Sequence, residues 1–132
     1  MKRILSFLIA LSMILSLSSC GRYISSYRAI GLVRSQTSHS CEASFGSLDG
    51  QLVFKLQRSD KNDASIGYSV SVEEGKIFLY YDIYGIKEEL AQVSSGDTIE
   101  GCGGYIESGK TVYIIIEATE GAKGRVSVEL NG

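Results

Sequence analysis

The chain has 132 residues, with 13 Lys and Arg against 15 Asp and Glu, 15 Gly, eight Tyr, three Cys, and neither Pro nor Trp. Set apart from an amino-terminal signal segment, it is one domain of ordinary size with room for its own core. Its acidic balance supplies no clustered cations for nucleic acid or anionic headgroups, and so excludes nucleic acid as a main partner.

Lys2 and Arg3 precede an apolar run over residues 4–17, interrupted only by Ser6, Ser12 and Ser16. The run is shorter than the roughly 20 apolar residues of a membrane-spanning helix. A charged start, a short apolar middle and small residues at the end are the three regions of a secretory signal peptide, placed at residues 1–19. Leu17-Ser18-Ser19-Cys20 resembles the lipobox of bacterial lipoproteins: an aliphatic residue, two small ones, then Cys. That resemblance implies a diacylglyceryl group on the Cys20 thiol and cleavage between Ser19 and Cys20. The mature protein would then be a lipoprotein held on the extracytoplasmic face of the cell membrane. Its two acyl chains are enough for stable attachment where one, such as a single palmitate, is marginal. Gly21 follows, with no Asp there to signal retention in an inner membrane, so a two-membrane cell would carry the protein to its outer membrane. Losing Lys2 and Arg3, and no acid, leaves the mature chain with a net charge of about −4.

Residues 20–40 are polar and Ser-rich, and read as a tether behind the lipidated Cys, with an edge strand over Ala29–Val33 in its second part. A β-sandwich domain is expected over residues 41–132. Period-two alternation starts at Leu52, Phe54 and Leu56 and continues with Ile66, Tyr68, Val70 and Val72 on one face. Glu73-Glu74-Gly75 reads as a turn. Residues 76–84 are apolar on both faces and read as a central strand. Residues 87–93 read as a strand despite the helix propensity of Glu88-Glu89-Leu90-Ala91. A short strand at residues 98–100 is followed by a turn or bulge at Gly101-Cys102-Gly103-Gly104. Residues 111–119 form the second central strand, with Val112, Ile114, Ile116 and Ala118 inward. A turn at residues 121–124 leads to a closing strand with Val126, Val128 and Leu130 inward. Seven to eight short strands without a convincing helix define an all-β, antiparallel sandwich.

With Cys20 taken by lipid, Cys41 and Cys102 remain. An even pair in an exported chain is expected to form a disulfide. The alternatives are two free thiols, or a metal site with His39, for which the ligands are few and the spacing is wrong.

The residues offer no catalytic constellation. His39, the only His, sits in a polar stretch, and no G-x-S-x-G surrounds any Ser. Glu73-Glu74 and Glu88-Glu89 would point to opposite faces on a strand, so neither is a carboxylate dyad. Asp60-Lys61-Asn62-Asp63 opens like a calcium loop, but Ser65 and Ser71 occupy the positions for Gly and an acid. Gly101-Cys102-Gly103-Gly104 does not continue as a dinucleotide fingerprint, because Ile106 stands at the last position. No cofactor is implied. Tyr80, Tyr81 and Tyr84 alternate faces and are the one suggestion of a contact surface.

The second half of the chain is similar to small bacterial lipoproteins that carry one compact β-sandwich. The similarity lies in the hairpin Gly104-Tyr105-Ile106-Glu107-Ser108-Gly109-Lys110-Thr111-Val112-Tyr113-Ile114-Ile115-Ile116-Glu117 and in Lys123-Gly124-Arg125-Val126-Ser127-Val128. These closing strands also resemble CUB-like and GOLD-like sandwiches. The resemblance implies a fold and brings no site residue. The expectation is a non-enzymatic, membrane-anchored module binding a protein or envelope glycan. The alternative is a structural or assembly partner in a membrane complex, docking through a sheet face or edge.

Overall fold

The computed structural model of the chain describes residues 23–57, 64–107 and 109–131. The signal segment, the lipobox with Cys20, and the Asp60–Asp63 run lie outside them. The described residues form seven antiparallel strands and no helix: β1 (Ser26–Ile30), β2 (Val33–Gln36), β3 (Ser40–Gln57), β4 (Ala64–Asp82), β5 (Lys87–Ser94), β6 (Thr98–Ile106) and β7 (Thr111–Asn131).

Three of these strands are far longer than the usual ~5–6 residues: β3 has 18, β4 has 19 and β7 has 21. Each runs through both layers of the sandwich. In the first layer, the ends of β3 and β4 and the start of β7 lie between β1 and β5. In the second, the remaining halves lie between β2 and β6. The layers meet at a crease. There the β3 register shifts around Leu48 and the β4 register around Glu74. Positive φ values cluster in the same place, at Gly50, Gly75, Glu120 and Gly121. Bulges sharpen twist and bend a strand, so the single sheet folds over and its two inner faces become one core. Leu52, Leu79, Ile114 and Ile116 from the first layer share that core with Val70, Val126 and Val128 from the second. Leu79 of β4 and Ile116 of β7 stand opposite each other on the ladder, and both are fully buried.

The alternation read from the sequence therefore points the expected way. Val112, Ile114, Ile116 and Ala118 are buried in the core, as are Ile66, Val70 and Val72. Ile115 faces the other side of the first layer and is also buried, in a row with Val53 and Tyr80 on the neighbouring strands. Two expected turns are different: Glu73-Glu74-Gly75 and residues 121–124 are crease segments inside continuous strands. Residues 40–50, not read as a strand, are the first half of β3. The tether expected over residues 20–40, with an edge strand at Ala29–Val33, is also different. Its described part forms β1 and β2, a turn at Gly31-Leu32 breaks the expected strand, and the two pair with opposite halves of β3.

The expected Cys41–Cys102 disulfide is absent, and both thiols are free. Cys41 pairs with Val128, Val128 with Tyr68, and Tyr68 with Gly101, the neighbour of Cys102. Three strand spacings of roughly 4.8 Å separate the two cysteines along the sheet, against a Cα separation of at most about 7 Å in a disulfide. Their side chains also point apart, Cys41 into the core and Cys102 to solvent, where its Sγ lies 3.3 Å from Ser65 Oγ. Burial pushes the Cys41 thiol up to about 12, with the Arg34 charge opposing. A maleimide should therefore label Cys102 in the native domain and Cys41 only after denaturation. Native protein that labels at neither position would restore the disulfide.

Candidate functional site

The free ends of the two layers come together opposite the crease. On one side Gln57 N donates to Ser38 O at 2.8 Å, and on the other Tyr68 Oη donates to Leu90 O at 3.1 Å. Between β4, β5 and β6 this pole holds a pocket of about 300 Å³, lined by Tyr81, Ile83, Tyr84, Ile86, Glu88 and Tyr105.

Asp82 positions one wall. It is the last residue of β4 and is 3% exposed. Its Oδ1 accepts from Gly85 N at 2.7 Å, which fixes the turn carrying Tyr84 and Ile86. Its Oδ2 accepts from the Tyr23 hydroxyl, so the amino-terminal segment is fastened to the same carboxylate. The Tyr23 ring rests against Tyr113, with centroids 5.6 Å apart. A buried carboxylate is tolerable because both oxygens are hydrogen-bonded.

The opposite wall depends on Gly104, whose φ of +70° suits glycine. A Cβ there would lie 3.2 Å from Tyr81 Cζ and 3.3 Å from Ile66 Cδ1. Its absence lets the Tyr81 ring lie against the β6 backbone beside Tyr105. The Tyr81 hydroxyl donates to the Glu88 carboxylate. That bond, followed by burial, raises the Tyr81 pKa. Glu88 is thereby oriented and keeps lone pairs for a ligand donor.

The bond to Asp82, followed by burial and the Asp82 charge, lifts Tyr23 from 10.0 to about 12. A folded-state value above the unfolded one stabilises the fold below about pH 10, and that stabilisation is lost as pH rises toward 12. Tyr23→Phe should accordingly lose less stability than wild type across that window. Urea melts at the two ends of the window make the comparison, and equal losses would mean that the bond is not formed.

Of the three tyrosines singled out in the sequence, Tyr81 and Tyr84 line the pocket and Tyr80 does not. Tyr80 stands on the outer face of the first layer. Its ring lies near-parallel to Phe78 at 6.3 Å, with Lys87 Nζ 4.2 Å above it and Lys76 Nζ 5.8 Å above Phe78. Lys87 also pairs with Glu117 at 2.5 Å. The rings of Tyr80 and Phe78 are thus each engaged by a lysine of the same domain. Tyr105 was not singled out as a site residue, because nothing local marks it as the partner of Tyr81. A larger concavity at the crease, about 590 Å³, is lined by charges that already pair, such as Glu73 with Lys123 at 3.2 Å. His39 is exposed on the loop before β3, and among the described residues no group of three His, Cys, Asp or Glu could hold a metal ion.

No family model matches the chain, and a search of curated proteins finds no match. Some solved structures match most of its length at low similarity. The carbohydrate-binding module TmCBM61 in complex with β-1,4-galactotriose is 13% identical, with 81% of this chain and 79% of that chain covered and a TM-score of 0.43. A variant of the family 29 module CBM29-2 complexed with mannohexaose is 13% identical, with 80% and 78% covered and a TM-score of 0.41. A xylanase variant, Xylanase10C from Cellvibrio japonicus with xylopentaose, is 22% identical, with 82% and 28% covered and a TM-score of 0.40. At these values no residue of the pocket is carried across from them.

Proposed function

We propose that the chain is a lipoprotein anchored through Cys20 on the extracytoplasmic face of the membrane, and that its sandwich is a non-enzymatic module binding an envelope glycan. The observation that carries the reading is the pocket lining: three phenol rings, two isoleucines and one oriented carboxylate. Aromatic faces cover the apolar C–H surface of a sugar ring, and a carboxylate accepts from its hydroxyls. A few placed polar groups in an apolar cleft are the usual composition of a small-ligand site. In the lining, the hydroxyl beside a carboxylate, Tyr81 with Glu88, has a raised pKa, the reverse of the lowered value of an activated nucleophile.

A panel of neutral oligosaccharides, titrated calorimetrically against the purified mature domain, tests the site. Tyr105→Ala and Glu88→Gln should each weaken binding about tenfold or more, equivalent to about 1.4 kcal/mol, without lowering the melting temperature. Tyr80→Ala, on the other face, should leave affinity unchanged. If Tyr105→Ala binds like wild type, the ligand does not occupy this pocket.

A further inference from the structure

The amino-terminal segment ends its described course at the pocket pole. Ser26 lies opposite Gln51, Ser25 Oγ accepts from Val53 N at 2.9 Å, and Tyr23 reaches Asp82. The chain thus runs toward the pole as it is followed back toward Cys20. Cys20 precedes Tyr23 by three residues, a reach of at most about 11 Å. Around the turn that Asp82 holds the surface is apolar: Tyr84 is 61% exposed, Ile86 69% and Tyr105 60%.

We infer that this pole, through Tyr84 and Ile86 on the turn, docks on the interfacial layer of the membrane that holds the Cys20 anchor. The inference rests on the lipoprotein reading. Tyrosine suits a membrane interface, with an apolar ring and a polar tip. The anchor holds the turn at high local concentration against the bilayer, so a small apolar contact suffices. On β5 beside the turn, Glu88 is held by Tyr81 and Lys87 is paired with Glu117, so the turn presents no free cation of β5 to anionic lipid. A pocket so placed meets ligands within the headgroup layer.

The chain has no Trp, which makes an inserted one a clean reporter. Full-length precursors carrying Tyr84→Trp, Ile86→Trp or Ile30→Trp would be matured in a lipoprotein-processing host. The lipidated products would be reconstituted in phosphatidylcholine vesicles with brominated acyl chains. Ile30 lies at the crease end, paired with Ser47. Flotation and intact mass report the anchor, and bromine quenching reports the orientation. The expected result is co-flotation, with fluorescence of Tyr84→Trp and Ile86→Trp quenched several-fold more than that of Ile30→Trp. Co-flotation with equal quenching at all three positions overturns the docking and leaves the anchor standing. Product without lipid mass that fails to float overturns the anchor and the docking together.

Discussion

Ile114→Ala should lower the unfolding free energy by about 2–5 kcal/mol, as removal of a buried Ile side chain usually does. Ile114 is fully buried in β7, between Phe54 of β3 and Tyr81 of β4. Both neighbours are held by long ladders, so the cavity has little means of collapsing. Against a total stability of roughly 5–15 kcal/mol, much of the margin would go. Ser69→Ala, away from the core on β4, should stay within about 0.5 kcal/mol of wild type. Urea melts of the two variants provide the comparison, and equal stabilities would mean that the inward face of β7 is wrong.

Gly75→Ala should be similarly severe, for a different reason. Gly75 has a φ of +81°, and a Cβ there would lie 2.7 Å from both Ala122 Cα and Thr119 O. These are backbone atoms of β7, which cannot rotate away. The substitution combines strain of order 1–3 kcal/mol with overpacking of about 1–3 kcal/mol. Gly96 has a φ of +85° and nothing within 4 Å of the same added atom. Gly96→Ala therefore carries strain alone, and the difference between the two variants measures the close approach at the crease. Equal melting temperatures would show that β4 and β7 are not pressed together there.

The strands were legible in the sequence wherever one face is apolar and the other is not. Ile66, Val70 and Val72 alternate with Gly67, Ser69 and Ser71, and Val112, Ile114 and Ile116 mark β7 in the same way. The crease was not legible. Gly75 beside two acids, or Gly121 near Lys123 and Gly124, gives the same local signal whether the chain reverses or bends and continues. Only the partners on both sides decide between them, and those partners lie far away in sequence. The first half of β3 was missed because Cys41, Ala43 and Phe45 alternate with polar residues but include only one large side chain. The disulfide expectation failed on geometry that a cysteine count does not contain, since both cysteines sit on strands that the sheet order keeps apart. Two of the six lining residues were visible, as Tyr81 and Tyr84. Tyr105 joins them only because β6 pairs along β4.

Because β3, β4 and β7 belong to both layers, the domain has no seam along which one layer could open while the other persists. Amides at both ends of β7 should therefore exchange through the same global event. Folding carries the corresponding cost in time. Ser40 must find Glu129, and Ser65 must find Asn131, before the second layer can zip. Closing such distant pairs places a sandwich among the slower-folding topologies.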